Sequence, residues 1–123
     1  MARLRRIDAI EAAAGLAGLA HLDPSGRCME RDIPGICANS TCFEVADDNG
    51  RAVVAVELVN GVLWVSMAGG GGGHDLCRPI DAVVSQVPGA RAVAFQTQRR
   101  GLVRRGLRRG YRIAGYILKK DLP

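Results

Sequence analysis

The spacing of hydrophobic positions changes period several times along the chain. Leu4, Ile7, Ile10 and Ala14 recur at three- and four-residue intervals, which predicts an amphipathic helix over about residues 4–20. Gly15 and Gly18 weaken its second half, because glycine gives up the most backbone freedom in a helix. Residues 21–40 carry Pro24, Gly26, Pro34 and Gly35 with no clear period, and read as a loop holding a turn of helix. Strand patterning then takes over. Thr41–Ala46 (TCFEVA) is followed by a turn at Asp47–Gly50, then by the β-branched run Ala52–Val59 (AVVAVELV), then by Asn60-Gly61 and Val62–Met67 (VLWVSM). Asn-Gly between two apolar runs is a strong hairpin signal, since both turn residues need positive φ. Residues 41–67 are therefore expected to form a three-stranded antiparallel meander.

Beyond Ala68 come five glycines, Gly69–Gly73, and then His74. Leu76, Ile80, Val83 and Val84 share one helical face up to Pro88-Gly89, with Pro79 tolerable only near the start of that helix. Ala90–Phe95 (ARAVAF) reads as a strand. Arg99–Arg109 reads as a basic helix with Leu102, Val103 and Leu107 facing inward and Gly110 as its stop. Tyr111–Leu118 (YRIAGYIL) reads as a last strand. The order α, β-β-β, α, β, α, β implies a right-handed parallel crossover added to the meander. The expected fold class is α/β, with an α+β mixed sheet, in one domain spanning 1–123. Residues 1–40 supply the N-terminal helix and irregular segment, 41–67 the meander, and 68–123 the loop-helix-strand-helix-strand.

A length of 123 residues suits one domain and suffices to bury a core without disulfides or metals. The aromatic residues are Phe43, Trp64, Phe95, Tyr111 and Tyr116, so the core must be aliphatic. The net charge of +5 is unevenly placed. Residues 99–120 hold nine of the 17 Lys and Arg residues and no carboxylate. Such a field attracts phosphates, nucleic acid or acidic protein surfaces, and it can equally be a solvated helix face. Cys28, Cys37, Cys42 and Cys77 form no C-x-x-C pair, so reduced thiols in a cytoplasmic protein are expected. His21, Cys28, Cys37 and Cys42 share one irregular stretch, but their spacing matches no usual zinc pattern, and no metal is expected. The basic start and short apolar run of residues 1–20 mimic a signal peptide, yet Asp8 and Glu11 interrupt it. No stretch is long enough to span a bilayer, so no membrane partner is expected.

The glycine run admits two readings. Backbone N–H groups of a Gly-rich loop opening a helix can cradle an anion. Five glycines can also be a flexible connection, since ordering each costs about 1–2 kcal/mol. His74 could act as base or phosphate contact, or be polar surface. No Ser-His-Asp set, paired carboxylates or P-loop lysine is visible.

From residue 41 onward, this order resembles the GNAT acetyltransferase superfamily. Leu63–Val83 (LWVSMAGGGGGHDLCRPIDAV) is similar to the family's strand, pyrophosphate loop and helix. Residues 100–111 (RGLVRRGLRRGY) are similar to its later helix ending in a Gly-aromatic pair, and Arg112–Lys119 to the strand after it. The resemblance implies an acetyl-CoA site at Val65, Met67, Gly70, Gly71, Gly72, Gly73 and His74. Three departures follow from the same comparison. Gly70 stands where the family has Gln or Arg. Asp75 stands at the loop's last small position, where it would face a pyrophosphate or serve as helix N-cap. Gly106 stands where the family often has a Tyr acting as general acid. The family's first and last strands have no match in this reading, and no catalytic residue is assigned.

The expected function is a catalytically degenerate GNAT-fold protein acting as a binding or assembly module, with weak or absent acetyl-CoA affinity. The resemblance to short GNAT-like proteins of tailed bacteriophages implies a phage origin, a place in the host cytoplasm or in the virion, and homo-oligomers or other assembly proteins as partners. The alternative is an active acetyl-CoA-dependent N-acetyltransferase. A third reading is a nucleic-acid backbone binder using the Arg-rich helix, with Arg100, Arg104 and Arg108 as the partner-binding stripe.

Overall fold

Five strands form one sheet in sequence order: β1 (Arg3–Ile7), β2 (Thr41–Asp47), β3 (Gly50–Val59), β4 (Val62–Gly70) and β5 (Ala92–Ala94). Four helices flank it: α1 (Ala9–Leu16), α2 (Ile33–Ala38), α3 (Cys77–Val84) and α4 (Arg100–Arg108). A 3-10 turn at Glu30–Asp32 leads into α2. The structure is a computed structural model and describes residues 3–20, 28–48, 50–70 and 76–123. The meander β2-β3-β4 is antiparallel throughout, and β5 joins β4 in parallel. The expected hairpin at Asn60-Gly61 is present, with φ of 51° and 80°. Both helices of the second half also stand where the hydrophobic pattern puts them.

The sheet separates two apolar layers. On one face, α1 and α2 bury Ala12, Leu16, Ile33 and Cys37 against Ile7, Cys42, Val53 and Ala55. On the other, α3 and α4 bury Cys77, Ile80, Val83 and Leu102 against Phe43, Val45, Val54, Val56 and Leu63. Consecutive residues 52–56 in β3 are all buried because both faces are covered, so that run shows no polar alternation.

The N-terminal expectation is corrected. Residues 3–7 are a strand rather than the start of a helix, paired antiparallel with β2 from Arg3↔Ala46 to Ile7↔Cys42. Asp8 marks the change: its Oδ1 accepts from the Glu11 amide at 2.8 Å, an N-cap that fixes the helix start at Ala9. The helix stops at Leu16, and Gly18 takes φ 85° just beyond. Ile10, counted on the inward face by spacing from Leu4 and Ile7, is 83% exposed, because those two residues belong to a strand. β1 also supplies the first strand for which the family resemblance had no match.

The C-terminal expectation is corrected too. Residues 111–123 form neither helix nor strand, so the strand predicted at Tyr111–Leu118 is absent. Leu107 is 48% exposed, and Leu102 and Gly106 make the buried side of α4 instead. Gly110 does end α4, with φ 91° at the position after the cap. α3 runs from Cys77 with Leu76 at its N-cap, the N-cap considered at Asp75 lies outside the described residues, and β5 keeps only three of the six residues predicted at 90–95.

Candidate functional site

β4 and β5 pair over three residues only, Val62↔Ala92 to Trp64↔Ala94. Past Trp64 the two part. β4 runs on to Gly70, while residues 95–99 lead away into α4. A cavity of about 600 Å³ lies in the opening. Trp64, Val65, Ser66, Met67 and Ala68 of β4 form one wall. Phe95, Gln96, Thr97, Arg99 and Leu102 form the second, and Leu76 and Ile80 the floor from α3. Leu19, Cys28, Asp32 and Ile36 approach from the N-terminal helices.

Five consecutive β4 residues can line one cavity because the strand is bulged there. Ala55 faces Met67 but the next residue, Val56, faces Val65, so Ser66 is an extra residue with no opposite number. In a regular strand Val65 and Met67 would share a face. Here Val65 packs with the α3 layer and Met67 with the α1 layer. The bulge thus presents side chains from both faces to the strand's open edge. It bends the strand where β5 departs, and hydrophobic alternation carries no signal for it.

Of the residues named from sequence, Val65 and Met67 line the cavity. Gly70 does not; it is the last residue of β4, opposite Ala52. A Cβ at Gly70 would collide with the Arg51 carbonyl oxygen, so no side chain can stand there to meet a phosphate. At Gly69 a Cβ would collide only with the terminal methyl of Leu19, a side chain that can shift. Gly71, Gly72, Gly73, His74 and Asp75 lie outside the described residues, as does His21. Among the described residues no group of three or more His, Cys, Asp or Glu side chains could hold a metal ion, and no helix is long and apolar enough to cross a membrane.

Two carboxylates shape the site and were not foreseen. Glu30 accepts from the Gly18 amide at 2.9 Å and the Ala20 amide at 3.0 Å, clamping the chain after α1. Asp32 lines the cavity and its Oδ2 accepts from the Met29 amide at 2.8 Å. The Glu30 contacts depend on how the chain after α1 meets the turn before α2, whereas the Asp32 contact is a local one, three residues back to Met29.

At the far side, Gly106 sits under Phe95 and Tyr111; a Cβ there would lie 3.6 Å from Tyr111 Cβ. The Tyr111 hydroxyl donates to Asp81 Oδ1 at 3.0 Å, and Arg109 reaches Asp81 Oδ2 at 2.9 Å. Burial and the Asp81 carboxylate push the Tyr111 phenol well above its ordinary range. Tyr111 is thereby tied to α3 and does not line the cavity. Arg100, Arg104 and Arg108 are exposed along one side of α4, as their spacing predicts.

Burial also raises the Cys37 and Cys42 thiols, Cys42 to about 11, so both are poor nucleophiles at neutral pH.

No protein-family model and no curated protein sequence matches the chain. A solved structure does: that of AAC(6')-Iy in complex with the bisubstrate analogue CoA-S-monomethyl-acetylneamine. The match covers 100% of this chain and 99% of that one, at a TM-score of 0.55 and 14% identity. An identity this low speaks for architecture alone. With the mixed five-stranded sheet, the crossover through α3 and the parted β4 and β5, it establishes that the chain has a GNAT-like fold.

Proposed function

We propose that the cavity between β4 and β5 binds the acylated pantetheine arm of acetyl-CoA, and that the chain is a CoA-thioester-binding protein with a reduced catalytic apparatus. The parting of the two strands carries this reading. Beyond Trp64 the β5 side of β4 has no strand partner among the described residues, and residues 65–68 of that stretch line the cavity. Pantetheine is narrow, extended and carries two amides, so it can add to such an edge much as a peptide strand does. The volume of about 600 Å³ falls within the usual range of ligand sites, about 300–1,000 Å³. The structural neighbour holds a CoA analogue, in keeping with this use of the fold.

Affinity is expected to be modest. The end of β4 cannot hold a phosphate-facing side chain at Gly70. Most of the binding then falls to the arm and its apolar contacts with Val65, Met67 and Phe95. Isothermal calorimetry with acetyl-CoA tests this, with a dissociation constant weaker than about 10 μM expected, about −7 kcal/mol. Val65→Lys should abolish the binding. No heat at millimolar ligand would remove the proposal.

A second reading, acetyl transfer to an amine, draws on Asp32. Its carboxylate reaches the cavity from the N-terminal side, where it could take the proton that an ammonium group must lose before the amine nitrogen attacks the thioester carbonyl and the thiol of CoA leaves. Thiol release from acetyl-CoA in the presence of a polyamine, lost in Asp32→Asn with acetyl-CoA binding unchanged, would favour the enzyme.

A further inference from the structure

A second cavity, of about 400 Å³, lies on the α3 side of the sheet at its β1 edge. Strand alternation builds two of its walls. Leu4 and Arg6 share one face of β1, Thr41 and Phe43 share the same face of β2, and Arg6 stands opposite Phe43. The chain leaving α3 supplies the third wall through Gln86, Val87 and Pro88. No residue lines both this cavity and the one between β4 and β5. The two stand at opposite ends of α3: Leu76 and Ile80, near its start, border the larger, and the residues just past its last turn border the smaller.

The walls divide by chemistry. Phe43 belongs to the apolar layer beneath α3, and Leu4 and Val87 pack against that layer. Arg6, Thr41 and Gln86 contribute a guanidinium, a hydroxyl and a carboxamide. None of these three side chains has a hydrogen-bond or ion-pair partner among the described residues. Arg5 makes the contrast. It lies on the other face of β1, where it meets Glu11 at 3.0 Å and Glu44 at 3.3 Å. Arg6, one residue on, has a cavity before it where Arg5 has two carboxylates.

We propose that this cavity binds a small monocarboxylate carrying an apolar or aromatic body. A guanidinium is a planar fork that fits a carboxylate through two parallel N–H···O bonds, and Arg6 supplies it. The Thr41 hydroxyl and the Gln86 carboxamide can donate to the lone pairs that Arg6 leaves. The body then lies over Leu4, Phe43 and Val87. One cation above an apolar floor suits one negative charge, whereas a phosphate or a dicarboxylate would hold unmatched charge against apolar side chains. The volume stands at the lower end of the about 300–1,000 Å³ usual for ligand sites, which favours a small ligand. The inference does not depend on what the cavity between β4 and β5 binds.

The test is a titration of the isotope-labelled full chain with benzoate, followed by amide chemical shifts. Saturable shifts are expected at residues 4–6, 41–43 and 86–87, with a dissociation constant of about 1 mM or tighter. Benzamide has the shape without the charge, and inorganic phosphate has charge without the body. Each should bind about tenfold more weakly or worse. Arg6→Gln should weaken benzoate by about tenfold or more, and Arg5→Gln, on the opposite face, should leave it unchanged. Arg6 is exposed on an edge strand, so the variant is expected to fold. If it does not, Gln86→Glu reads the same point, because a carboxylate beside Arg6 should occupy the guanidinium and repel the probe. No saturable shift at tens of millimolar benzoate overturns the inference. So do shifts confined to the cavity between β4 and β5, equal binding of benzamide or phosphate, or benzoate binding that survives Arg6→Gln and Gln86→Glu.

Discussion

The two halves of the molecule solve the same packing problem to different degrees. In residues 3–70, every strand has long antiparallel partners: five pairs between β1 and β2, seven between β2 and β3, and eight between β3 and β4. In residues 76–123, one strand makes three parallel pairs, a cleft opens beside it, and the chain ends in exposed apolar residues. The first half is the more extensively paired, and the cavity opens at the junction of the two, where its last strand, β4, runs on past the short β5.

Substitutions that sharpen this contrast should differ most at buried positions. Leu63 in β4 is 1% exposed within the α3 layer, and Leu63→Ala should cost about 2–5 kcal/mol in chemical denaturation. Leu107→Ala on α4 should change stability by less than about 0.5 kcal/mol, as for other exposed positions. Equal losses would mean that α4 is packed as tightly as the sheet.

Two glycines give the next contrast. Gly70→Ala forces a methyl group against the Arg51 backbone and should cost about 1–3 kcal/mol. Gly101→Ala in α4 meets nothing nearer than 3.7 Å and should gain up to about 1 kcal/mol from helix propensity. Thermal denaturation of the two variants should therefore shift in opposite directions.

The alkaline response should also divide. Burial raises Cys42, in the first half, from 9.0 to about 11. A raised pKa favours the neutral thiol in the folded state, so that stabilisation is full below pH 9.0 and is lost as pH climbs toward 11. Tyr111, in the second half, is raised above 10.0, so its contribution falls only above that pH. Cys42→Ala should flatten the stability profile between pH 9 and 11, and Tyr111→Phe should flatten it only beyond pH 10. A flat wild-type profile through both ranges would contradict the burial of both groups.

The smallest effect is expected at the arginine stripe. Replacing Arg100, Arg104 and Arg108 with Gln relieves repulsion worth about 0.2–0.5 kcal/mol per neighbouring pair. A slight rise in midpoint temperature at low salt, vanishing at high salt, is the outcome to look for. Polyanion binding, measured alongside, should fall if the stripe is a contact surface.

The meander was legible because its turns are chemical: Asn60-Gly61 and the β-branched run of β3 leave little choice. α3 and α4 were legible from their apolar faces. β1 was not, since Leu4, Ile7 and Ile10 match a helical period by coincidence and only the Asp8 cap and pairing with β2 break it. Leu107 was placed by periodicity alone, while Gly106, with no side chain, makes the closer approach to Phe95. In the site, Val65 and Met67 could be named as residues of one strand. The Ser66 bulge that turns them to opposite faces could not, because register depends on what β3 does. Glu30 was illegible because its contacts with Gly18 and Ala20 arise only when the turn before α2 meets the end of α1.

The two apolar layers on either side of the sheet also set an order of events during synthesis. Apart from Met67, every residue of the α1–α2 layer lies before residue 56. Once β4 has left the ribosome, that layer has all its parts and can close. The other layer cannot, because Leu76, Cys77, Ile80, Val83 and Leu102 have yet to emerge. For that interval Phe43, Val45, Val54, Val56 and Leu63 line a bare sheet face on a nascent chain, the kind of surface chaperones bind and neighbouring chains stick to. A pause in translation just after the glycine run would prolong that exposure, whereas one after α4 would leave little for a chaperone to hold.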